Sequence, residues 1–364
     1  MPKIGVVCVT YNSEEYLSDL LTSLREQEGV KLELFFVDND SKDKTVEFLN
    51  AHPSFGLSQD LRQGVRLVCN NKNLGFSKAS NIGAKAALEA ACDYVLFVNP
   101  DMVLAKDCLK QMLNCLGKKI IANDACKGAK FCAPSICQPK IYVHGKENRI
   151  NTFGTSIQYL GMGYSAGGGI QNSKFKIQNE IPAASGACML VKAEVFAKVG
   201  FFDDKFFMYC EDQDFSWRAR MQGYEICLAE KARAWHKYDF QRAKRRKFYY
   251  LERNRLQFVL KNYQVKSLIL LFPAFLVFEL GMIFYSIFGL WVHYKLWSYI
   301  WLFLHIVTIL KNRFKIQGKR NLTDRDLKKY LTGSVRSQGL GGFLWKYVGD
   351  PVLRWYWRLV RKII

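Results

Sequence analysis

The sequence predicts an α/β fold: a doubly wound, mostly parallel sheet, followed by a membrane-associated α-helical hairpin and amphipathic C-terminal helices. Three observations carry the prediction. Short apolar runs alternate with helix-patterned stretches through the first hundred residues, as parallel strands and their crossover helices do. Charge is divided unevenly: residues 241–364 hold 24 Lys/Arg against 5 Asp/Glu, within a chain whose net charge is +21. Leu268–Val292 is 25 residues with a single charge, Glu279, long enough to cross a bilayer as a helix.

Ile4–Val9 is an apolar run that reads as a buried strand, with Thr10-Tyr11-Asn12-Ser13 its polar exit. Ser13 is placed to cap a helix over Glu14–Gln27, where Leu17, Leu20, Leu21 and Leu24 recur at helical spacing. Leu32–Val37 is the second strand, ending in Asp38-Asn39-Asp40-Ser41-Lys42-Asp43, and Lys44–Ala51 is a short helix. Arg66–Cys69 is the third strand, followed by Asn73-Leu74-Gly75-Phe76 and an Ala-rich helix over Ser77–Ala91. Tyr94–Val98 is the fourth, stopped by Asn99-Pro100-Asp101. Residues 117–180 are less regular, and Gly161–Gly169 reads as a mobile glycine-rich loop. Ala184–Val191 is a buried strand, Glu194–Val199 a short helix and Tyr224–Ala229 another strand, with Ala234-Trp235-His236 after it.

From Gln241 the character changes. A basic run leads into the aromatic, basic stretch Phe248–Leu260, which suits a membrane-surface helix or a self-association face, so a homo-oligomer is open. Leu296–Leu310 is a second uncharged segment of 15 residues, which either spans or dips in. Basic residues precede the first segment and follow the second, which puts both ends on the cytosolic face. The divisions expected are a catalytic domain over 1–245, a basic-aromatic interfacial helix over 246–266, a transmembrane or re-entrant hairpin over 267–311 and a basic amphipathic tail over 312–364. At the end, Trp355, Tyr356 and Trp357 interleave with Arg354, Arg358, Arg361 and Lys362, as in an interfacial membrane helix. The near-neutral front argues against a chain that binds nucleic acid throughout. The N-terminus runs straight into a strand without signal-peptide architecture. Eleven cysteines without a CxxC pair read as free thiols in a reducing compartment, with Cys126, Cys132 and Cys137 the only cluster that raises structural zinc.

In a doubly wound sheet ligands lie at the carboxyl ends of the strands, where Thr10–Asn12, Asp38–Asp43 and Asn99–Asp101 fall. No Gly-rich dinucleotide fingerprint and no P-loop follows the first strand, which argues against a nicotinamide oxidoreductase and a P-loop NTPase. Asp38 and Asp101 are suited to a ribose, a base or a cation held against phosphates. The stretch Gly200–Tyr224 crowds Glu211, Asp212 and Asp214 among six aromatics (Phe201, Phe202, Phe206, Phe207, Tyr209 and Phe215), with Trp217 and Arg218 directly after the carboxylates. Two readings compete there: an acidic helix N-terminus with an Asp214–Arg218 pair, or carboxylates kept for chemistry. His236 is either a satisfied core histidine or, with Asp101, a cation site of oxygen and imidazole donors.

Taken in order, Val9-Thr10-Tyr11-Asn12, Val37–Asp43, Asn73–Phe76, Asn99–Asp101, Ser185–Lys192 and Gly200–Arg218 resemble family 2 glycosyltransferases, in the rhamnosyltransferase-like branch. The resemblance covers about Ile4 to Arg255. It implies a GT-A fold and inverting transfer of one sugar from a nucleotide-sugar, dTDP-rhamnose-like or UDP-linked. By similarity, Thr10, Tyr11, Asn12, Asp38, Asn39, Asn73, Gly75, Phe76 and Asn99 face the nucleotide-sugar. Asp101, in the place of the last Asp of the family's DxD motif, and His236 would hold Mg2+ or Mn2+. Asp212 would be the general base, with Glu211 beside it. Gly186, Trp217 and Arg218 would line the acceptor or diphosphate side. Asn99 departs from the first acid of a full DxD, and the Q/RxxRW motif of processive synthases is absent, so one sugar per binding event is expected. The expected acceptor is a prenyl-diphosphate-linked or other glycan beside anionic membrane lipid, at the cytoplasmic face of the cell membrane, with no nucleic-acid partner. The alternatives are a nucleotidyltransferase on a similar sheet and a non-catalytic, membrane-tethered nucleotide-sugar-binding module.

Overall fold

The computed structural model describes residues 1–51, 65–117, 134–171, 180–237, 246–334 and 345–364. The chain opens with β1 (Lys3–Thr10), α1 (Glu14–Arg25), β2 (Lys31–Asp38), α2 (Thr45–Ala51), β3 (Arg66–Cys69), α3 (Gly75–Glu89) and β4 (Tyr94–Val98). β5 (Met102–Leu104), α4 (Cys108–Gly117), β6 (Pro134–Val143), β7 (Lys146–Thr152), β8 (Thr155–Gln158) and β9 (Gly163–Ser165) follow. The domain closes with β10 (Cys188–Lys192), α5 (Ala193–Val199), α6 (Glu211–Met221) and β11 (Glu225–His236).

The main sheet runs β3-β2-β1-β4-β10-β6-β11-β5, with β7 beside β6. β3, β2, β1 and β4 are parallel, whereas β10 runs against both β4 and β6. β1, β2 and β4 bury both faces, which is why they read as unbroken apolar runs, while β3 at the edge is largely exposed. Ile4, Val6, Cys8, Leu34 and Phe36 pack on one side under Leu17, Leu20 and Leu24 of α1. Val7, Phe35, Val95 and Phe97 pack on the other under Ala84 and Ala87 of α3. Cys8, Cys108, Cys137 and Cys188 are buried free thiols, while Cys126 and Cys132 lie outside the described residues.

Several expectations change. The region read as irregular, 117–180, carries β6 to β9, and the glycine-rich loop contributes β9, which pairs with β8. The strand after Gly223 runs on to His236 instead of ending at Ala229. Ser13 does not cap α1 with its side chain; its Oγ accepts from the Tyr11 amide at 3.1 Å, and Asp43 Oδ2 accepts from the first helical amide, Glu14, at 3.2 Å.

The rear of the chain forms α7 (Lys247–Asn262), α8 (Val265–Phe288), α9 (Val292–Gln317), α10 (Asp324–Leu327), β12 (Leu331–Thr332) and α11 (Asp350–Val360). The basic-aromatic helix expected at a membrane surface is instead an internal one: every residue of α7 from Glu252 to Val259 is buried. The expected tail is docked as well. β12 pairs with β8, the Trp357 ring stacks 5.0 Å from Tyr159, and Tyr330 Oη meets Arg220 Nη1 at 2.8 Å. Among the described residues α8 is the one helix long and apolar enough to cross a membrane.

Candidate active site

Parallel register sets Thr10 opposite Asp38, the last residues of β1 and β2. Thr10 Oγ1 donates to Asp38 Oδ1 at 2.8 Å, and the Ser41 amide donates to Asp38 Oδ2 at 2.9 Å. Tyr11 stands exposed at the strand exit. Asn12, in the left-handed region at φ +50°, accepts from the Lys42 amide at 2.7 Å. The first sugar-nucleotide candidates therefore share one loop cluster.

Contacts lead from that cluster across the strand ends. Asn39 Nδ2 donates to the Gly75 carbonyl at 3.2 Å, and its Oδ1 accepts from Asn70 Nδ2 at 3.0 Å. The Gly75 amide donates to Asn73 Oδ1 at 2.8 Å. Gly75 was expected to bring backbone close to a phosphate or sugar. The structure gives it another reason: φ is +80°, and an added Cβ would lie 2.5 Å from Phe207. The next residue, Phe76, sits where a Cβ on Gly186 would meet its ring at 3.4 Å and Asp212 Cβ at 3.4 Å. The Asn99 amide donates to the Ala187 carbonyl at 3.0 Å, tying the Asn99–Asp101 turn to the same segment. Antiparallel pairing of β5 with β11 then sets His236 opposite Met102, and His236 Nε2 lies 3.1 Å from Asp101 Oδ1. Asn151 Oδ1 holds the other ring nitrogen at 3.3 Å.

Asp212 is fixed by two backbone amides: Gly186 donates to Oδ2 at 2.8 Å and Gln213 to Oδ1 at 2.7 Å. Burial pushes its carboxyl above the usual aspartate range, against the pull of those amides. Glu211 is pushed well up by burial and by the charge of Asp212, and its Oε2 is buried without a hydrogen-bond partner. Asp214, on the same helix, goes the other way. Burial would raise it, but Lys261 at 3.1 Å and Arg218 at 2.8 Å hold its carboxyl below the usual range.

The structure does not bring Trp217 and Arg218 into this arrangement. Trp217 is fully buried against Phe258 and Tyr263. Arg218 spends its guanidinium on Asp214 and on the carbonyls of Val199 and Phe201 at 2.7 and 2.8 Å. Both are packing residues: a helix turns by about 100° per residue, so proximity in sequence to Asp212 does not give a shared face.

Two residues of α7 enter the site unforeseen. The approach to α6 is strained, with Phe207, Tyr209 and Cys210 all at φ between 63° and 67°, a conformation that costs about 1–3 kcal/mol per residue. Asn254 Nδ2 lies 2.8–2.9 Å from the carbonyls of Phe206, Met208 and Tyr209. Arg253 Nη2 donates to the carbonyls of Lys205 and Phe206 at 2.9 and 2.7 Å. The signal in the sequence was the run Glu252-Arg253-Asn254-Arg255 between aromatics. Four polar residues in one helical turn point all round the helix, so they cannot all sit on a single solvent face.

The site can present a fixed, weakly acidic carboxyl to a hydroxyl, with an oxygen–imidazole pair along the same strand ends. Among the described residues no group of three or more His, Cys, Asp or Glu forms a closed metal site.

Several known proteins resemble this chain. An uncharacterized glycosyltransferase of Haemophilus influenzae is 27% identical over 58% of this chain and 72% of its own length. An N-acetylglucosaminyl-diphospho-decaprenol L-rhamnosyltransferase of Mycobacterium tuberculosis is 23% identical over 64% of this chain and 75% of its own. Among solved structures, GalNAc-T7 with UDP, GalNAc and Mn2+ superposes with a TM-score of 0.53 at 15% identity, covering 73% of this chain and 49% of that one; it shows the shared GT-A-like fold. The sequence profile of glycosyl transferase family 2 matches residues 5–200, more than half of the chain, and the chain belongs to that family.

Proposed function

We propose that this glycosyltransferase moves one sugar, with inversion, from a nucleotide-sugar to a hydroxyl of a lipid-linked glycan at the cytoplasmic face of a membrane. The observation that carries the reading is Asp212, half-buried, free of any ion pair among the described residues and aimed by the amides of Gly186 and Gln213. A carboxylate so held takes the proton of the acceptor hydroxyl as its oxygen attacks the anomeric carbon, and the bond to the nucleoside diphosphate breaks. One carboxylate suffices, unlike the pair that glycoside hydrolysis needs. Burial and the charge of Asp212 push the Glu211 carboxyl well up, further than burial lifts Asp212, which favours Asp212 as the member of the pair that carries the charge.

Thr10, Asp38 and Asn39 would shape the nucleoside end, with Asn73, Gly75, Phe76 and Asn99 between it and the reacting carbon. Asp101 and His236 would hold Mg2+ or Mn2+, an assignment that fits one carboxylate oxygen beside one imidazole nitrogen with positions left for phosphate oxygens. When bound, the cation neutralises charge on the departing diphosphate. The relative named as an N-acetylglucosaminyl-diphospho-decaprenol L-rhamnosyltransferase supports a prenyl-diphosphate-linked acceptor and a rhamnose donor, with a UDP-linked donor the alternative.

The test is Asp212→Asn with a panel of nucleotide-sugars. Transfer should fall by about 10²–10⁴-fold while nucleotide-sugar affinity, measured by calorimetry, stays the same. Full activity in that variant removes the base assignment. Chelation should lower turnover and restored Mg2+ or Mn2+ should recover it; unchanged turnover in EDTA removes the metal role of Asp101 and His236.

A further inference from the structure

From α8 onward the described residues carry large apolar side chains on the outside as well as in the interior. On α8, Ile269, Phe272, Leu276 and Leu280 are exposed at helical spacing. On α9 the exposed stripe is Ile300, Phe303, Val307 and Phe314, and on α11 it is Val352, Trp355 and Leu359. α8 adjoins both other helices, so the three exposed stripes lie on neighbouring elements. A soluble monomer rarely shows contiguous apolar patches above about 300–600 Å², and these stripes far exceed what scattered surface residues explain.

We infer that these stripes form one face, which docks into a single leaflet of a membrane rich in anionic headgroups, and that α8 and α9 lie on the bilayer without crossing it. The inference rests on the membrane reading above and narrows it. Three facts oppose a crossing hairpin. First, the inner face of α8 is buried along its whole length, from Ser267 through Ala274 and Phe278 to Ser286. Second, Glu279 in that face pairs with Arg255 of α7 and, at 2.7 Å, with Lys295 of α9. Lys295 also pairs with Glu252 of α7. Third, α9 is strapped to α7 further on, where Arg313 donates to the Tyr263 carbonyl at 2.6 Å and Gln317 to the Asn262 carbonyl at 2.9 Å. α7 in turn carries Arg253 and Asn254, which grip the loop before Asp212. A crossing hairpin would drag those charges and that loop into hydrocarbon, or break every pair.

The occupant is set by charge. Arg354, Arg358, Arg361 and Lys362 stand exposed beside Trp355 and Leu359 on α11, the pattern of an interfacial helix on anionic lipid. A second copy packed on the same face would set these like charges against each other.

Two experiments on the full chain test this. In flotation, the protein should rise with vesicles containing phosphatidylglycerol and less with phosphatidylcholine alone. Phe303→Asp/Val307→Asp should cut the bound fraction at least about tenfold with the thermal midpoint retained, and Arg358→Glu/Arg361→Glu should erase the preference for anionic lipid. Failure to float overturns the membrane reading itself, and a dimer that loses its partner on Phe303→Asp/Val307→Asp assigns the face to a second copy. For topology, a thrombin site inserted after Phe288, which is 84% exposed at the α8 end, should resist external protease in sealed right-side-out vesicles until detergent is added. Cleavage from outside leaves the membrane reading standing and overturns the single-leaflet placement.

Discussion

The sheet half and the helical half differ in the charges they bury and the apolar residues they expose. Beneath β1–β4 the interior is apolar and the polar side chains gather at the strand ends. Beneath α8 and α9 the interior holds Glu252, Arg255, Glu279 and Lys295, while Phe303 and Val307 face outward. Among the described residues, the large hydrophobics exposed ahead of α8 are Met1, Tyr11, Val68 and Ile170 alone. The difference teaches that pairing, not depth, decides what a buried charge does. The rear cluster has two charges of each sign in mutual contact. Glu211 and Asp212 have no cation among the described residues, so burial acts on them unopposed by any ion pair. Asp214 makes the contrast within a single helix, two residues away and paired twice.

The rear cluster offers the largest effect on stability. Glu279→Ala leaves Arg255 and Lys295 short of a counter-charge in a buried place, which should cost about 3–5 kcal/mol in urea unfolding. Glu279→Met with Lys295→Met removes one charge of each sign and should recover most of that loss. A cost for Glu279→Ala below about 1 kcal/mol, the value of a surface pair, would show that the cluster is wet and that the two halves do not differ as described.

The link between the halves comes next. Asn254→Ala takes the donors from three carbonyls on a strained loop, and buried acceptors left unsatisfied cost about 1–3 kcal/mol. The catalytic consequence is the sharper readout: a shift of about 1 Å in Asp212 should lower kcat about 100-fold with nucleotide-sugar affinity unchanged. Stability lost while kcat is retained would make Asn254 a packing residue only.

The sequence made some of this legible and hid the rest for physical reasons. β1, β2 and β4 are buried on both faces, so composition alone exposes them, and Asp38 follows as the last residue of β2 and Asp101 as part of the turn after β4. β7 is polar at Lys146, Glu147, Asn148 and Arg149 because its start is exposed, and a half-exposed edge strand has no apolar run to read. The pairing of Asp101 with His236 was foreseen as two candidates and is joined by the β5–β11 register, which no local pattern encodes. As site residues, Trp217 and Arg218 come from the resemblance alone, whereas here the first packs on Phe258 and Tyr263 and the second pairs with Asp214. α7 misled because a basic, aromatic helix suits a membrane surface, whereas here its arginines meet carbonyls and buried carboxylates.

The smallest effect separates activity from stability by pH. Asp212 accepts a proton only when ionised, and burial lifts its carboxyl above the ordinary aspartate value of about 3.9. The acid limb of kcat/KM should therefore lie above that value, with about tenfold loss for each pH unit below it. Stability should move in the other direction over the same window. A carboxyl whose folded pKa is raised favours folding when protonated, so the contribution of Glu211 and Asp212 is full below their unfolded values and is lost as pH rises through their raised ones. Asp214 has the opposite sign: its contribution is present above the ordinary value and is lost as pH falls through its lowered one. Mild acidification should thus slow the enzyme while the Glu211–Asp212 pair favours the fold, until Asp214 begins to protonate and the fold weakens. Asp212→Asn should weaken the mild-acid part of the stability curve, leaving the share of Glu211, and leave the Asp214 part in place. If Asp212→Asn leaves the mild-acid part of the curve unchanged, then the carboxylates at the head of α6 are not buried uncompensated, and the contrast with their paired neighbour disappears.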